Sequence, residues 1–171
     1  MNGYVQVYTG NGKGKTTAAL GLAVRALGAG KKVFIGQFAK SKHYSELETI
    51  SRLLKDITIR QYGLGCFIFE KPTDDDIRAA KAGLKEIEGI IDSNEYDVII
   101  LDEANIAVYY NLITVNELIT VIEKRNDKTE IIITGRYATQ EIIDFADLVT
   151  EMKEIKHYYQ QGVQARVGIE K

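Results

Sequence analysis

The sequence predicts an α/β fold: a mostly parallel sheet flanked by helices, with C-terminal edge strands. Two observations predict it. Short apolar, β-branched runs alternate with longer stretches of helical period, the mark of strands connected through covering helices. The runs are also continuous rather than alternating, as strands buried on both faces must be. In order, residues 5–8 form the first strand, and residues 16–29, rich in Ala and Leu, form the first helix. Gly28-Ala-Gly30 closes that helix, and Lys31-Lys32 suit its negative end. A strand at 33–38, a helix at 45–55 and a strand at 57–61 follow. Pro72 opens a third helix running to about Asp92, with Thr73 as N-cap and Asp76 three residues on. The acids at 74–76 therefore read as a favourable first turn rather than a metal site. A strand at 98–101, a helix at 114–124, a strand at 131–134 and a helix at 139–146 complete the core. Residues 148–152 and 163–169 are expected as two edge strands. The least regular stretches, 39–44 and 62–71, lie at strand ends, where open α/β sheets bind ligands.

Composition narrows the function classes. The chain has 171 residues, 45% of them hydrophobic, with 22 Lys and Arg against 24 Asp and Glu for a net charge of −2. A chain of this length buries roughly 70% of its unfolded surface, which suits one domain over residues 1–171. With a pI near 5.8 and no basic block longer than Lys31-Lys32, it lacks the charge that nucleic-acid binding draws on. The single cysteine, Cys66, excludes an internal disulfide and any all-cysteine metal site. The N-terminus has neither the charged nor the apolar region of a signal peptide, and no apolar run approaches the roughly 20 residues that span a bilayer. The expectation is a cytoplasmic protein with neither nucleic acid nor membrane as partner.

Chemistry concentrates at the end of the first strand. Thr9-Gly10-Asn11-Gly12-Lys13-Gly14-Lys15-Thr16-Thr17 sits between strand and Ala-rich helix, the context of a phosphate-binding loop. Such loops usually begin with glycine where this chain has Thr9. Gly10, Gly12 and Gly14 let the backbone turn amides toward anionic oxygens, and the helix adds its positive end. Lys15 neutralises phosphate charge, and Thr16 offers a hydroxyl to Mg²⁺. The other half of such a site is an acid ending a buried strand, here Asp102 or Glu103. Asp102 can alternatively cap the helix that its neighbours begin. The loop implies a P-loop NTPase-like, RecA-like sheet, and by itself it does not choose among kinases, ATPases and transferases.

Tyr8 to Ala19, Gly36-Gln-Phe-Ala-Lys40, Leu101-Asp-Glu, Ile133-Thr-Gly-Arg136, Ala146-Asp-Leu-Val-Thr-Glu-Met, Lys156-His-Tyr and Gly162-Val-Gln-Ala-Arg-Val-Gly-Ile together make the chain specific. Through them it resembles, end to end, the ATP:corrinoid adenosyltransferases of P-loop type, whose loop also lacks that first glycine. The resemblance implies that a cobalt(I) corrinoid attacks the 5′ carbon of ATP and releases intact triphosphate, with ATP inverted relative to kinases. It places phosphate contacts on Asn11 through Thr17 and on Arg25, and Mg²⁺ on Thr16 with Asp102 or Glu103. Lys15, Thr16 and Glu103 become the catalytic candidates. Arg25 has the alternative of a solvent-facing helix residue. An aromatic pair that excludes the corrinoid's lower ligand would fall on Phe67 and Phe69, which equally suit a strand burying alternate aromatics. Tryptophan, common at one of those positions, is absent, and Cys66 is an extra residue given no role. Lys40 and Arg136, just after strands, suit phosphates, corrin side groups or plain surface charge; His157 suits ligand contact or a structural hydrogen bond. The family further implies a flavoprotein reductant and a homodimer. Two other readings remain: a different P-loop small-molecule kinase or ATPase, and a nucleotide-dependent corrinoid-binding module without turnover.

Overall fold

In the computed structural model, which describes residues 2–40, 45–64 and 71–170, six strands form one wholly parallel sheet. They are β1 (Val5–Thr9), β2 (Val33–Phe38), β3 (Ile57–Tyr62), β4 (Val98–Asp102), β5 (Glu130–Thr134) and β6 (Leu148–Glu151), in the order β3-β2-β4-β5-β1-β6. The helices are α1 (Lys15–Gly28), α2 (Ser45–Leu53), α3 (Asp74–Ser93), α4 (Ala104–Tyr109), α5 (Val115–Glu123) and α6 (Gln140–Phe145). This is the α/β architecture of P-loop NTPase-like proteins.

Side-chain parity organises the two faces. Successive residues of a strand point to opposite sides. Val33 and Ile35 of β2, Val98 and Ile100 of β4 and Ile132 of β5 pack with Ala19, Ala23 and Ala26 of α1. The intervening Phe34, Phe38, Ile99, Leu101, Ile131 and Ile133 pack with α3, α5 and α6. Small alanines let α1 lie close to the sheet, so its N-terminus is held directly over the C-terminal ends of the strands.

Helix starts follow their caps. Thr73 accepts from the Asp76 amide while the Asp76 carboxylate accepts from the Thr73 amide, and Thr114 with Glu117 repeats the arrangement. Each cap contributes about 1 kcal/mol. Ala29 caps α1 and Gly30 follows at φ 73°, as the Gly-Ala-Gly signal requires.

One expected edge strand forms and the other does not. β6 pairs with β1, but residues 163–169 are exposed and follow a short 3₁₀ turn, Tyr158–Gln161. Gly162 and Gly168 take φ of 83° and 77°, which breaks the extended path and turns the tail back toward the loop after β1. The short helix α4, directly after β4, forms where the alternative reading of Asp102 had a helix begin, though six residues carry too little periodicity to announce it among the main elements.

Candidate active site

The loop after β1 is shaped by two demands. Gly10 and Gly14 have φ of 91° and 119°, a region costly for any residue with a Cβ. Gly10 and Gly12 also meet the chain leaving β6: a Cβ on either would lie 2.5 or 2.7 Å from the Met152 carbonyl oxygen. The Gly12 amide donates to that oxygen at 2.6 Å, so it serves this junction rather than pointing freely at an anion. Thr9 needs no glycine freedom because it still belongs to β1, and its hydroxyl accepts from the Ala138 amide at 3.3 Å.

Lys15 is buried, and its ammonium donates to the Gly10 and Gly12 carbonyls at 2.7 Å each. Burial holds its pKa below the ordinary lysine value. Lys13 instead reaches the chain's far end, 3.0 Å from the Glu170 carboxylate. Glu170 also accepts from Arg166 and Tyr158, which hold it well below the usual carboxylate range.

Parity then assembles the acid site. Asp102 and Thr134 end their strands and Gln37 is one residue short of the end of β2, all on the α1 side of the sheet and all buried. Gln61 of β3 donates to Gln37 at 3.0 Å, and Gln37 donates to Asp102 Oδ2 at 3.1 Å. Thr134 donates to Asp102 Oδ1 at 2.7 Å, so a polar row crosses four adjacent strands. Thr16, at the start of α1, closes the row by donating to the same Oδ1 at 2.9 Å. Lys40 adds an ion pair to Oδ2 at 2.7 Å and lies 3.4 Å from the Thr16 hydroxyl. Burial alone would depress Lys40, but the Asp102 carboxylate overrides it and raises the ammonium above its ordinary value. Asp102 is thus not a helix cap. Glu103 holds the cap position of α4 at φ 58°, with no side-chain cap bond.

The donor set fits Mg²⁺. Asp102 and Thr16 bring hard oxygens together, and the Lys40 ammonium already places positive charge beside both. Among the described residues no three His, Cys, Asp or Glu side chains form a cage. Magnesium commonly takes one or two carboxylates and fills its remaining positions with phosphate and water. Glu103 faces the same cavity, its pKa raised by burial and then by Asp102, against opposing pulls from Lys40, Lys15 and Arg136.

A cavity of about 540 Å³ joins these groups, lined by the loop from Gly12 to Thr17, Lys40, Glu103, Arg136 and His157, with aromatic and tail residues beside them. Of the candidates, Gly12, Lys13, Gly14, Lys15, Thr16, Thr17 and Glu103 line it. Gly10 and Asn11 do not, and Asp102 lies beneath it, touching Thr16. Arg25 is exposed on α1 and does not line the cavity; burial and then Glu130 raise the Tyr8 hydroxyl pKa, and the Arg25 charge only partly opposes them. His157 makes the structural hydrogen bond, its Nδ1 accepting from the Tyr159 amide at 3.0 Å, and it also lines the cavity. Phe67, Phe69 and Cys66 lie outside the described residues. Sequence reasoning gave Gln37 and Thr134 no role. Their signal was a polar residue at or next to the end of an otherwise apolar strand.

Comparison with known proteins gives consistent matches. The family described as ATP:corrinoid adenosyltransferase BtuR/CobO/CobP matches residues 1–170. A corrinoid adenosyltransferase of Escherichia coli K12 is 32% identical over 168 residues, covering 98% of this chain and 85% of the relative. The Salmonella typhimurium LT2 corrinoid adenosyltransferase CobA is 34% identical over 170 residues, with the same coverage. One from a Sinorhizobium species is 35% identical over 174 residues, covering 98% of this chain and 80% of its own.

Proposed function

The chain belongs to the ATP:corrinoid adenosyltransferase family, and from that premise we propose how its residues transfer the 5′-deoxyadenosyl group of ATP to a corrinoid's cobalt(I) in adenosylcobalamin synthesis. The cobalt(I) electron pair forms the carbon–cobalt bond as the 5′ carbon–oxygen bond breaks, and that bond's electrons leave with triphosphate. The nucleophile comes with the substrate, so the protein needs no general base. It needs orientation and stabilisation of a departing polyanion.

The observation that carries the reading is the hydrogen bond between Thr16 and Asp102 under a cavity lined by the loop. In that cavity Lys15 releases the loop carbonyls to meet phosphate, and the amides at the start of α1 face the same charge. Thr16 and Asp102, with Glu103 beside them, would hold Mg²⁺, whose charge screens the leaving triphosphate. Lys40 and Arg136 add positive charge at the cavity wall. Phe67 and Phe69 are assigned to the corrinoid's lower face, whereas Arg25, exposed on α1 and absent from the cavity wall, is assigned its other reading, a solvent-facing helix residue. A flavoprotein supplies the electron that makes cobalt(I). Among the described residues no helix is long and apolar enough to cross a membrane. The exposed β6 edge at Leu148 and Val149 supports a homodimer.

Anaerobic incubation with ATP, Mg²⁺ and chemically reduced cobalamin tests the reading. The expected result is the light-sensitive alkylcobalt spectrum with one triphosphate released per turnover; ADP or phosphate would favour a kinase or ATPase instead. Lys15→Ala should slow transfer by about 10²–10³-fold, the loss usual for one preorganised oxyanion donor. A binding module without turnover would show no transfer to lose.

A further inference from the structure

The cavity has an aromatic side that triphosphate chemistry leaves unused. Tyr110 and Tyr137 line it, and Tyr109 joins them. The Tyr109 ring centroid lies 4.3 Å from that of Tyr137 at 32°, and 5.2 Å from that of Tyr110 at 78°. These are favourable ring contacts, yet Tyr109 and Tyr137 remain 52% and 46% exposed. Tyr109 and Tyr137 are therefore not core, while Tyr110 packs against it. The two exposed rings present flat apolar surface where a ligand enters.

The backbone carrying Tyr137 is also held in an unfavourable state. Its φ of 62° is uncommon for a bulky residue. Flanking contacts enforce it: buried Asn105 donates to the Gly135 carbonyl at 3.1 Å, and Ala138 is tied to Thr9 at 3.3 Å. Strain maintained by surrounding contacts at a ligand cavity points to functional placement of the side chain.

We propose that Tyr137, backed by Tyr109, stacks on the purine of ATP. The proposal rests on the adenosyltransferase reading and extends it to nucleotide selectivity. Tyr137 and the loop from Gly12 to Thr17 line one cavity of about 540 Å³, so a single molecule with an anionic end and a flat heteroaromatic end meets both. ATP is that molecule. Tyr137 makes the contact, and Tyr109 is a positioning residue that keeps the Tyr137 ring in place. The gain for transfer is orientation: with phosphates and purine both held, the 5′ carbon between them has little freedom.

The test is equilibrium binding of Mg-ATP and of Mg-bound inorganic triphosphate to the parent protein and to Tyr137→Gly, Tyr137→Phe and Tyr109→Ala. Stacking predicts that Tyr137→Gly weakens ATP by about tenfold and leaves triphosphate unchanged. Tyr137→Phe should bind ATP like the parent, and Tyr109→Ala should weaken ATP by about threefold. Glycine accepts the left-handed backbone, so the Tyr137→Gly melting temperature should not fall. Equal weakening of ATP and triphosphate would overturn the stack. So would unchanged ATP binding with a raised KM for corrinoid, which would place the corrin ring on the tyrosines. Binding is read without turnover, so the two claims fail separately. ATP-selective loss in a protein that never alkylates cobalamin overturns the proposed reaction alone; alkylation without that loss overturns the stack alone.

Discussion

Two charged clusters touch the glycine-rich loop between β1 and α1, one at Thr16 and one at Lys13, and they differ mainly in their exposure to water. At the first, Asp102 is fully buried and takes hydrogen bonds from Thr16, Gln37, Thr134 and Lys40. At the second, Glu170 takes bonds from Lys13, Tyr158 and Arg166; its side chain is 15% exposed, but Lys13 and Arg166 are 42% and 52% exposed, so water reaches the pairs. Both combine a carboxylate, a hydroxyl and a cation. In the buried cluster every lone pair must be satisfied, because desolvating a charge without partners is far costlier than leaving it in water. That requirement fixes Thr16 and Lys40 in advance of any ligand. In the solvent-facing cluster water can replace each bond, so it holds the tail over the loop without committing it. Burial, rather than the kinds of groups present, separates a preorganised site from an exchangeable cover.

The largest expected effect comes from breaking the buried cluster. Asp102→Ala breaks a buried ion pair and removes the acceptor that Thr16, Gln37, Thr134 and Lys40 share, so it should cost about 3–5 kcal/mol of stability in urea unfolding, with loss of adenosyl transfer. A loss no greater than at an exposed site would erase the contrast. Gln37→Leu removes one donor to buried Asp102 together with the acceptor of the Gln61 amide, for about 1–3 kcal/mol, with transfer slowed less than by Asp102→Ala.

A pH series on Glu103→Gln sharpens the comparison. Burial and Asp102 raise the Glu103 pKa, so the folded protein binds more protons than the unfolded one between the ordinary and the raised value. The parent's contribution from Glu103 is therefore fully present below about pH 4.3, the ordinary glutamate value, and is lost as pH rises through the raised one. Without nucleotide or divalent cation, the variant should melt above the parent at neutral pH. The gap should close on acidification; a constant gap would mean the difference is steric. The smallest effect belongs to Glu170→Ala. It should leave the melting temperature unchanged, and the tail's departure should appear only as faster proteolysis near Tyr158.

Much of this molecule was legible along the chain, and the limits were specific. Thr73 and Thr114 announced their helices because a cap is a contact across three residues. Strands 98–101 and 131–134 were legible because doubly buried strands have no polar side to show. The edge strand expected at 163–169 failed for the complementary reason: alternation in a segment without a neighbouring edge says nothing about pairing. The polar row through Gln61, Gln37, Asp102 and Thr134 was hidden because each residue alone is an ordinary polar strand end. Register places them side by side.

The order of residues alone determined the loop between β1 and α1, the acid ending β4 and membership in the family, since each is written in contiguous residues. Only tertiary structure decided which neighbours those residues met. Asp102 acquired Lys40 across 62 positions, Lys13 acquired Glu170 across 157, and Tyr137 came against Tyr109. The reason is physical: local geometry sets how a backbone turns, but the pairing of distant charges and rings depends on sheet order, on side-chain parity and on which groups burial forces to find partners.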